Sequence, residues 1–264
     1  MKELVIELSG QKHTYHLPTS IREMTGEQII EALKYRSDKI AGIGFSPYLS
    51  TLCGIDPKIA KKLPAYHKYT IEQCFEYLLE DWDADFTEQK FPKINIEENE
   101  LHGYLGNFGN TTWEEFIWAD QLFINKDYKR LIAVLYREKR KKYDGETDTR
   151  IPFTNYGIAK RFTIVNKLDD ATITALAFQY RAMRKDSLET KYSQIFPEAV
   201  KYESEEPEPD AEPEPNNFSW VKVHQNILGD NIQHEKEYLQ LNVHTVLNRL
   251  NEAIIEQKNK KKTA

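Results

Sequence analysis

The sequence predicts a mainly α-helical protein that opens on a β-hairpin and closes on a small helical module set beyond an acidic linker. Three observations predict it. The first residues alternate in polarity around a glycine turn, the pattern of paired half-buried strands. Helix-start signals of the form Thr-x-x-Gln or Thr-x-x-Glu then recur, each followed by apolar residues at helical spacing. From Glu203 to Pro215 the chain carries seven acids and no base, with almost nothing apolar to offset the entropy of ordering it.

In order, residues 2–8 and 12–17 flank Ser9-Gly10-Gln11 and read as the two strands of the hairpin. Thr25-Gly26-Glu27-Gln28 fits a capping box, with Ile29, Ile30 and Leu33 on one face behind it. Thr70-Ile71-Glu72-Gln73 predicts a second start, burying Cys74, Phe75, Leu78 and Leu79. Thr112-Trp113-Glu114-Glu115 repeats the device before Phe116, Ile117, Ala119, Leu122 and Phe123. Helices are expected at 127–141 and 154–166. A longer one should start near Asp169 and run past Met183 on a face of Ile173, Leu176, Ala177 and Tyr180, with Pro197 as a stop. Beyond the linker, Phe218, Trp220, Val221, Val223, Ile227 and Leu228 form a short amphipathic segment ending at Gly229. Tyr238, Leu239 and Leu241 precede a last helix with Val243, Val246, Leu247, Leu250 and Ile254 on one stripe. The expected division is a body over 1–200, a disordered acidic linker over 201–217 and a module over 218–264.

Composition narrows the function. Without the seven linker acids the net charge of −6 becomes +1, so acidity says nothing about the partner of the body. No run approaches the ~18 apolar residues of a membrane span, and the opening Met1–Glu7 does not read as a signal peptide. A cytoplasmic location is expected. Two cysteines, Cys53 and Cys74, frame neither a disulfide scaffold nor a four-thiolate zinc site, and Cys53 reads as a small core residue.

The search for chemistry is mostly negative. Asp81-Trp82-Asp83-Ala84-Asp85 resembles a calcium-loop opening, but Phe86 stands where the glycine is needed and Pro92 where the last acid is needed. The seven histidines lack metal-ligand spacing and are expected at surfaces or caps. Gly42-Ile43-Gly44 and Gly103-Tyr104-Leu105-Gly106 lack the lysine and third glycine of phosphate loops. No catalytic, cofactor or metal residue is assigned, and an enzyme is not expected. The chief basic feature is Arg137, Lys139, Arg140, Lys141 and Lys142, which reads either as cations closing a helix C-terminus or as a phosphate-contacting patch. Trp113, Phe116 and Trp118 spread round one helix, so one of its tryptophans should be partly exposed, the setting of an interface anchor.

Three stretches carry a family resemblance. One is Tyr48-Leu49-Ser50-Thr51-Leu52-Cys53-Gly54-Ile55-Asp56-Pro57, ahead of Lys62-Leu63. Another is Asn110-Thr111-Thr112-Trp113-Glu114-Glu115-Phe116-Ile117-Trp118-Ala119-Asp120, with Leu131–Arg137 downstream. The third runs from Phe218-Ser219-Trp220 to Tyr238-Leu239-Gln240-Leu241-Asn242-Val243-His244, with Asn242 where that pattern has proline. Together they resemble the tail assembly chaperones of long-tailed bacteriophages and prophages of the Bacteroidetes type.

The resemblance implies an interaction protein of the bacterial host cell. Its helical body would bind the tape-measure protein, and the tethered module would recruit tail-tube subunits. Trp113, Phe116, Trp118, Trp220, Leu239, Val243 and Leu247 are the expected protein contacts. The alternatives are a structural virion component at the connector or baseplate, and a nucleic-acid-associated phage or mobile-element protein using the basic run 137–143. A homo-oligomer is compatible with all of these.

Overall fold

The computed structural model describes residues 1–8, 10–42, 44–79, 88–142, 148–196, 218–229 and 231–263. The acidic linker 201–217, the Asp81–Asp85 stretch, Ser9, Ile43, Tyr143 and Pro197 lie outside the described residues. The protein is mainly α-helical, with an N-terminal hairpin ahead of its helices.

The chain divides into two compact units, 1–92 with 166–183 and 93–165 with 184–264. In the first, β1 (Lys2–Leu8) and β2 (Gln11–Leu17) pair antiparallel with Leu4 opposite Tyr15 and Ile6 opposite His13. Gly10 takes φ 80° in the turn, where an L side chain would be strained. Ile6 and Leu17 face the core and Val5 faces out, the alternation that a half-buried strand requires. Helix α1 (Gly26–Ile40) starts at the Thr25 capping box, with Gln28 N–H donating to Thr25 Oγ1 and Thr25 N–H to Gln28 Oε1. Its Ile29, Ala32 and Tyr35 are buried.

Short helices α2 (Leu49–Cys53), α3 (Pro57–Lys62) and α4 (Ala65–Gln73) follow. Their core is aromatic: the Tyr35 and Phe45 rings lie 5.0 Å apart and Phe45 and Phe75 5.3 Å. Cys53 is buried among them, and burial pushes its thiol far above the ordinary range. Helix α8 (Asp170–Arg184) completes the unit, capped by Asp169, which accepts from Thr172 N–H at 2.7 Å. Its buried Gln179 accepts from the Lys90 and Phe91 N–H groups, both at 2.7 Å, which holds the 88–92 strip against this distant helix.

The second unit holds a hairpin of β3 (Lys93–Ile96) and β4 (Asn99–His102), then α5 (Trp113–Ile124), α6 (Tyr128–Leu135) and α7 (Asn155–Val165). A π-helical turn, Lys185–Glu189, continues the chain beyond α8. Helices α9 (Trp220–Leu228), α10 (Glu235–Gln240) and α11 (Val243–Thr263) end it.

Three expectations are corrected. The helix expected from Thr70 starts at Ala65, behind Pro64, and ends at Gln73, so Thr70 is interior and its hydroxyl donates to the Tyr66 carbonyl. Leu79 is accordingly 40% exposed rather than buried. The helix expected over 127–141 stops at Leu135. His102 and Arg137 exchange backbone hydrogen bonds at 2.7 and 2.9 Å, and Arg140 N–H donates to the Thr149 carbonyl, so residues 137–140 are held extended. The third concerns domains: the body does not end before the linker. Residues 93–165 share a unit with 218–263, because Trp220 is buried against Trp113 and Phe116 at 5.5 and 5.1 Å between ring centroids. Backbone bonds from Trp113 N–H to the Leu241 carbonyl and from Val243 N–H to the Thr111 carbonyl seal the join. A segment of roughly fifty residues could not bury that much aromatic surface alone.

The two threonines give opposite outcomes. Thr25→Ala removes a cap and should lower stability by about 1 kcal/mol. Thr70→Ala, in a helix interior, should change it by less than ~0.5 kcal/mol. Chemical denaturation midpoints of the two variants check both.

Candidate functional site

Helix α5 organises the second unit. Thr112 caps it by accepting from Glu115 N–H at 3.2 Å. The Glu115 side chain does not return to the cap, as a capping box would have it do. It points inward, fully buried at 0% exposure. Its Oε1 accepts from Arg150 Nη1 at 2.9 Å and its Oε2 from Arg137 Nη2 at 2.8 Å. Asp148 accepts from both arginines, at 2.9 Å from Arg137 Nη2 and 2.9 Å from Arg150 Nε. Arg150 also donates to the Leu135 and Asn110 carbonyls. Arg161 lies beside them with Nε donating to the Ala133 carbonyl.

These surroundings shift the titrations. Burial pulls the Arg137 guanidinium down to about 10, helped by the charges of Arg150 and Arg161 and opposed by Glu115 and Asp148. Burial pushes the Asp148 carboxyl up, but hydrogen bonding and charge from Arg150 and Arg137 outweigh it and leave it below the usual range.

A second buried acid, Asp120, accepts from Trp220 Nε1 at 2.6 Å and from Arg184 Nε at 2.5 Å. Arg184 also pairs with Glu189 and lies 4.8 Å over the Phe196 ring. Trp113 donates its indole N–H to His224 Nδ1 at 3.1 Å. Both indoles thus find a partner inside the core, as a buried Trp requires.

Of the expected protein contacts, Trp113, Phe116, Trp220, Val243 and Leu247 are buried in this unit. Core packing claims them, because a helix apolar on most of its sides is wrapped by neighbours. Only Trp118, 41% exposed, and the half-buried Leu239 reach the surface. They meet in a small groove of about 210 Å³, walled by Ile117, Trp118, Val221 and Leu239, with Glu114, Gln121 and His224 as its polar lining. On the other side of α9, Val223, Ile227, Tyr238, Val246, Leu250 and Ile254 line a larger groove of about 780 Å³.

The basic run is not one face. Arg137 is buried in the Glu115 cluster, and Arg140 is half-buried with Nε donating to the Arg150 carbonyl. Only Lys139, Lys141 and Lys142 are exposed. Nor do these cations close a helix, since the backbone there is extended.

Sequence reasoning missed the Glu115–Arg137–Asp148–Arg150 cluster, Asp120 and the buried His224, which is neither at a surface nor a cap. One signal was available for Asp120, which falls at helical spacing on the face of Trp113, Phe116 and Ile117; Glu115, beside Glu114, is not marked out by its neighbours. Among the described residues, no group of three His, Cys, Asp or Glu is placed to hold a metal, and no helix is long and apolar enough to cross a membrane.

Glu115→Gln leaves two buried arginines sharing Asp148 as the one carboxylate of the cluster. It should lower stability by about 3–5 kcal/mol. Glu100→Gln, which loosens the exposed pair with Lys93, should leave the midpoint nearly unchanged in the same denaturation experiment. Stability should also depend on pH below neutrality. Burial lowers the His224 pKa, against the weaker pull of Glu235, so the unfolded chain takes up a proton first as pH falls. The stability gained by keeping His224 neutral is complete above the unfolded imidazole value of about 6.5 and is lost progressively below it. Asp148, held low, adds a further loss as pH falls through the carboxylate range. His224→Gln, which keeps an acceptor for Trp113, should flatten the pH 7 to 5 part of the melting-temperature profile and leave the more acid part. Compared with known protein families, curated sequences and solved structures, the chain matches none.

Proposed function

We propose that this chain is a protein-binding adaptor of the tail assembly chaperone kind, rather than an enzyme. Its groove between α9 and α11 would receive the apolar face of a helix from a tail component. The observation that carries the reading is the groove itself: about 780 Å³, floored by Val223, Ile227, Val246, Leu250 and Ile254, with Arg249 and Gln257 on its rim. That volume suits the three or four side chains which an amphipathic helix presents over two turns. The resemblance in the Asn110–Asp120 and Phe218–His244 stretches supplies the identity of the occupant. It names the tape-measure protein, whose long amphipathic helices need cover before the tube surrounds them, and the tail-tube subunit.

The long α11 supports the same reading. Its first turns are anchored by Val243, Val246 and Leu247, all buried, while Ile255, further along, is exposed.

Co-expression of the full chain with the tape-measure protein and, separately, with the tail-tube subunit tests the proposal. At least one should co-purify. Leu250→Glu combined with Ile254→Glu should weaken retention at least tenfold, since a charge buried against an apolar helix face has no partner. Retention of neither component, or retention indifferent to the double substitution, would sink the reading. Recovery of the protein as a stoichiometric part of purified particles would replace it with a structural virion role.

A further inference from the structure

We propose that the smaller groove, beside Trp118 and His224, is a pocket for one apolar residue of an extended peptide segment. The C=O of that residue would accept from His224 and its N–H would donate to Gln121. This site stands on the other side of α9 from the helix groove and does not depend on that reading.

Two buried polar atoms of the groove residues make no hydrogen bond. Trp113 Nε1 can only donate, and it donates to His224 Nδ1 at 3.1 Å. A neutral imidazole with Nδ1 accepting carries its proton on Nε2, so Nε2 is a donor. His224 is 5% exposed, and this Nε2 is buried with no hydrogen-bond partner. The Glu235 carboxylate stands 3.8 Å away, beyond hydrogen-bonding distance. Gln121 donates from Nε2 to Asn125 Oδ1 at 3.4 Å, which turns its Oε1 the other way, and this Oε1 is also buried without a partner. Both residues line the same groove.

One unmatched donor and one unmatched acceptor are together the complement of the C=O and N–H that a single extended residue presents on the same side. An unpaired buried polar atom destabilises the folded chain, and a ligand that supplies both partners reverses that loss. Besides Glu114 and Asn155, the remaining walls, Ile117, Trp118, Val221 and Leu239, are apolar, and about 210 Å³ is room for one side chain rather than a drug-sized molecule. Trp118 and Val221, 41% and 49% exposed, stand at the mouth and can move aside on entry.

The same features select against other occupants. Glu114 lines the groove and Glu235 stands beside His224, which disfavours a carboxylate or phosphate. The interior of a helix has already spent its backbone N–H and C=O groups on itself, so an extended or turn segment fits and a helix does not.

N-acetyl-leucinamide, which carries one apolar side chain and neutral amides, serves as the probe against the full-length protein. The His224 Nε2 and Trp118 Nε1 resonances of 15N-labelled protein report on it. Both should shift saturably with a midpoint in the millimolar range expected for so small a ligand. Val221→Trp, which fills the pocket from an exposed position, should abolish the shifts. Gln121→Met, which keeps the shape and removes the acceptor, should weaken binding about tenfold, and N-acetyl-leucine, bearing a carboxylate, should bind at least about fivefold more weakly than the amide. The proposal is overturned if no saturable shift appears, or if Val221→Trp binds as well as the parent. It is equally overturned if isobutanol, with the side chain and no amide, competes on equal terms. Thermal melts of both variants separate loss of binding from loss of fold.

Discussion

Glu115 has no contact with water, and its two oxygens are taken by two arginines from one stretch of chain, Arg137 and Arg150. Much of the second unit follows from that arrangement. Holding both guanidinium groups at α5 goes with an extended run over 137–140 beyond α6 and with residues 149–150 paired beside it before α7 begins. Arg150 also donates to the Asn110 carbonyl, which fixes the approach to the Thr112 cap and therefore the rotation of α5 about its axis. That rotation places Trp113 where His224 meets it and Phe116 where Trp220 stacks on it. Desolvating four charges is costly, so the cluster is better regarded as selecting one packing than as adding net stability. Its asymmetry is what matters: intact it is tolerated, and with one partner missing it exposes a buried charge.

Asp120, five residues further along α5, performs the corresponding service for the C-terminal segment. It receives Trp220 Nε1 and the Arg184 guanidinium, two groups from either side of the acidic stretch. The aromatic surface of Trp220 supplies the gain on burial, while its single N–H demands an acceptor at one place. A segment that composition marks as a tethered module is thus built into the core beside α5. What remains at the surface is the outer side of α9, flanked by the small groove toward Trp118 and the large one toward α11.

The two grooves differ in kind because their linings differ in kind. The large one is an apolar trough with polar residues at its rim, suited to a pre-formed helix that brings no unmet hydrogen bonds. The small one contains a donor and an acceptor left over from the core contacts of His224 and Gln121, and only a partner with spare backbone groups answers them.

Local chemistry was legible in the sequence by itself. The hairpin follows from alternation about Gly10, the start of α1 from Thr25 and Gln28, the cap of α5 from Thr112, and the start of α8 from Asp169. Each depends on residues within a few positions of one another. The prediction of a partly exposed tryptophan on α5 also rested on local geometry, and Trp118 is that residue. Of the residues expected as protein contacts, Trp118 and Leu239 reach the surface; Trp113, Phe116, Trp220, Val243 and Leu247 were legible only as apolar, and the fold decided that they lie inside. Tertiary structure alone decided that Glu115 binds arginines 22 and 35 residues away instead of its own cap. It also decided that Arg137 is a buried ion rather than part of a basic patch, and that His224 is a core acceptor for an indole 111 residues away. The physical reason is common to all three. Side chains of this chemistry are equally at home in water, and what buries them is a partner that the chain brings close only after it has folded.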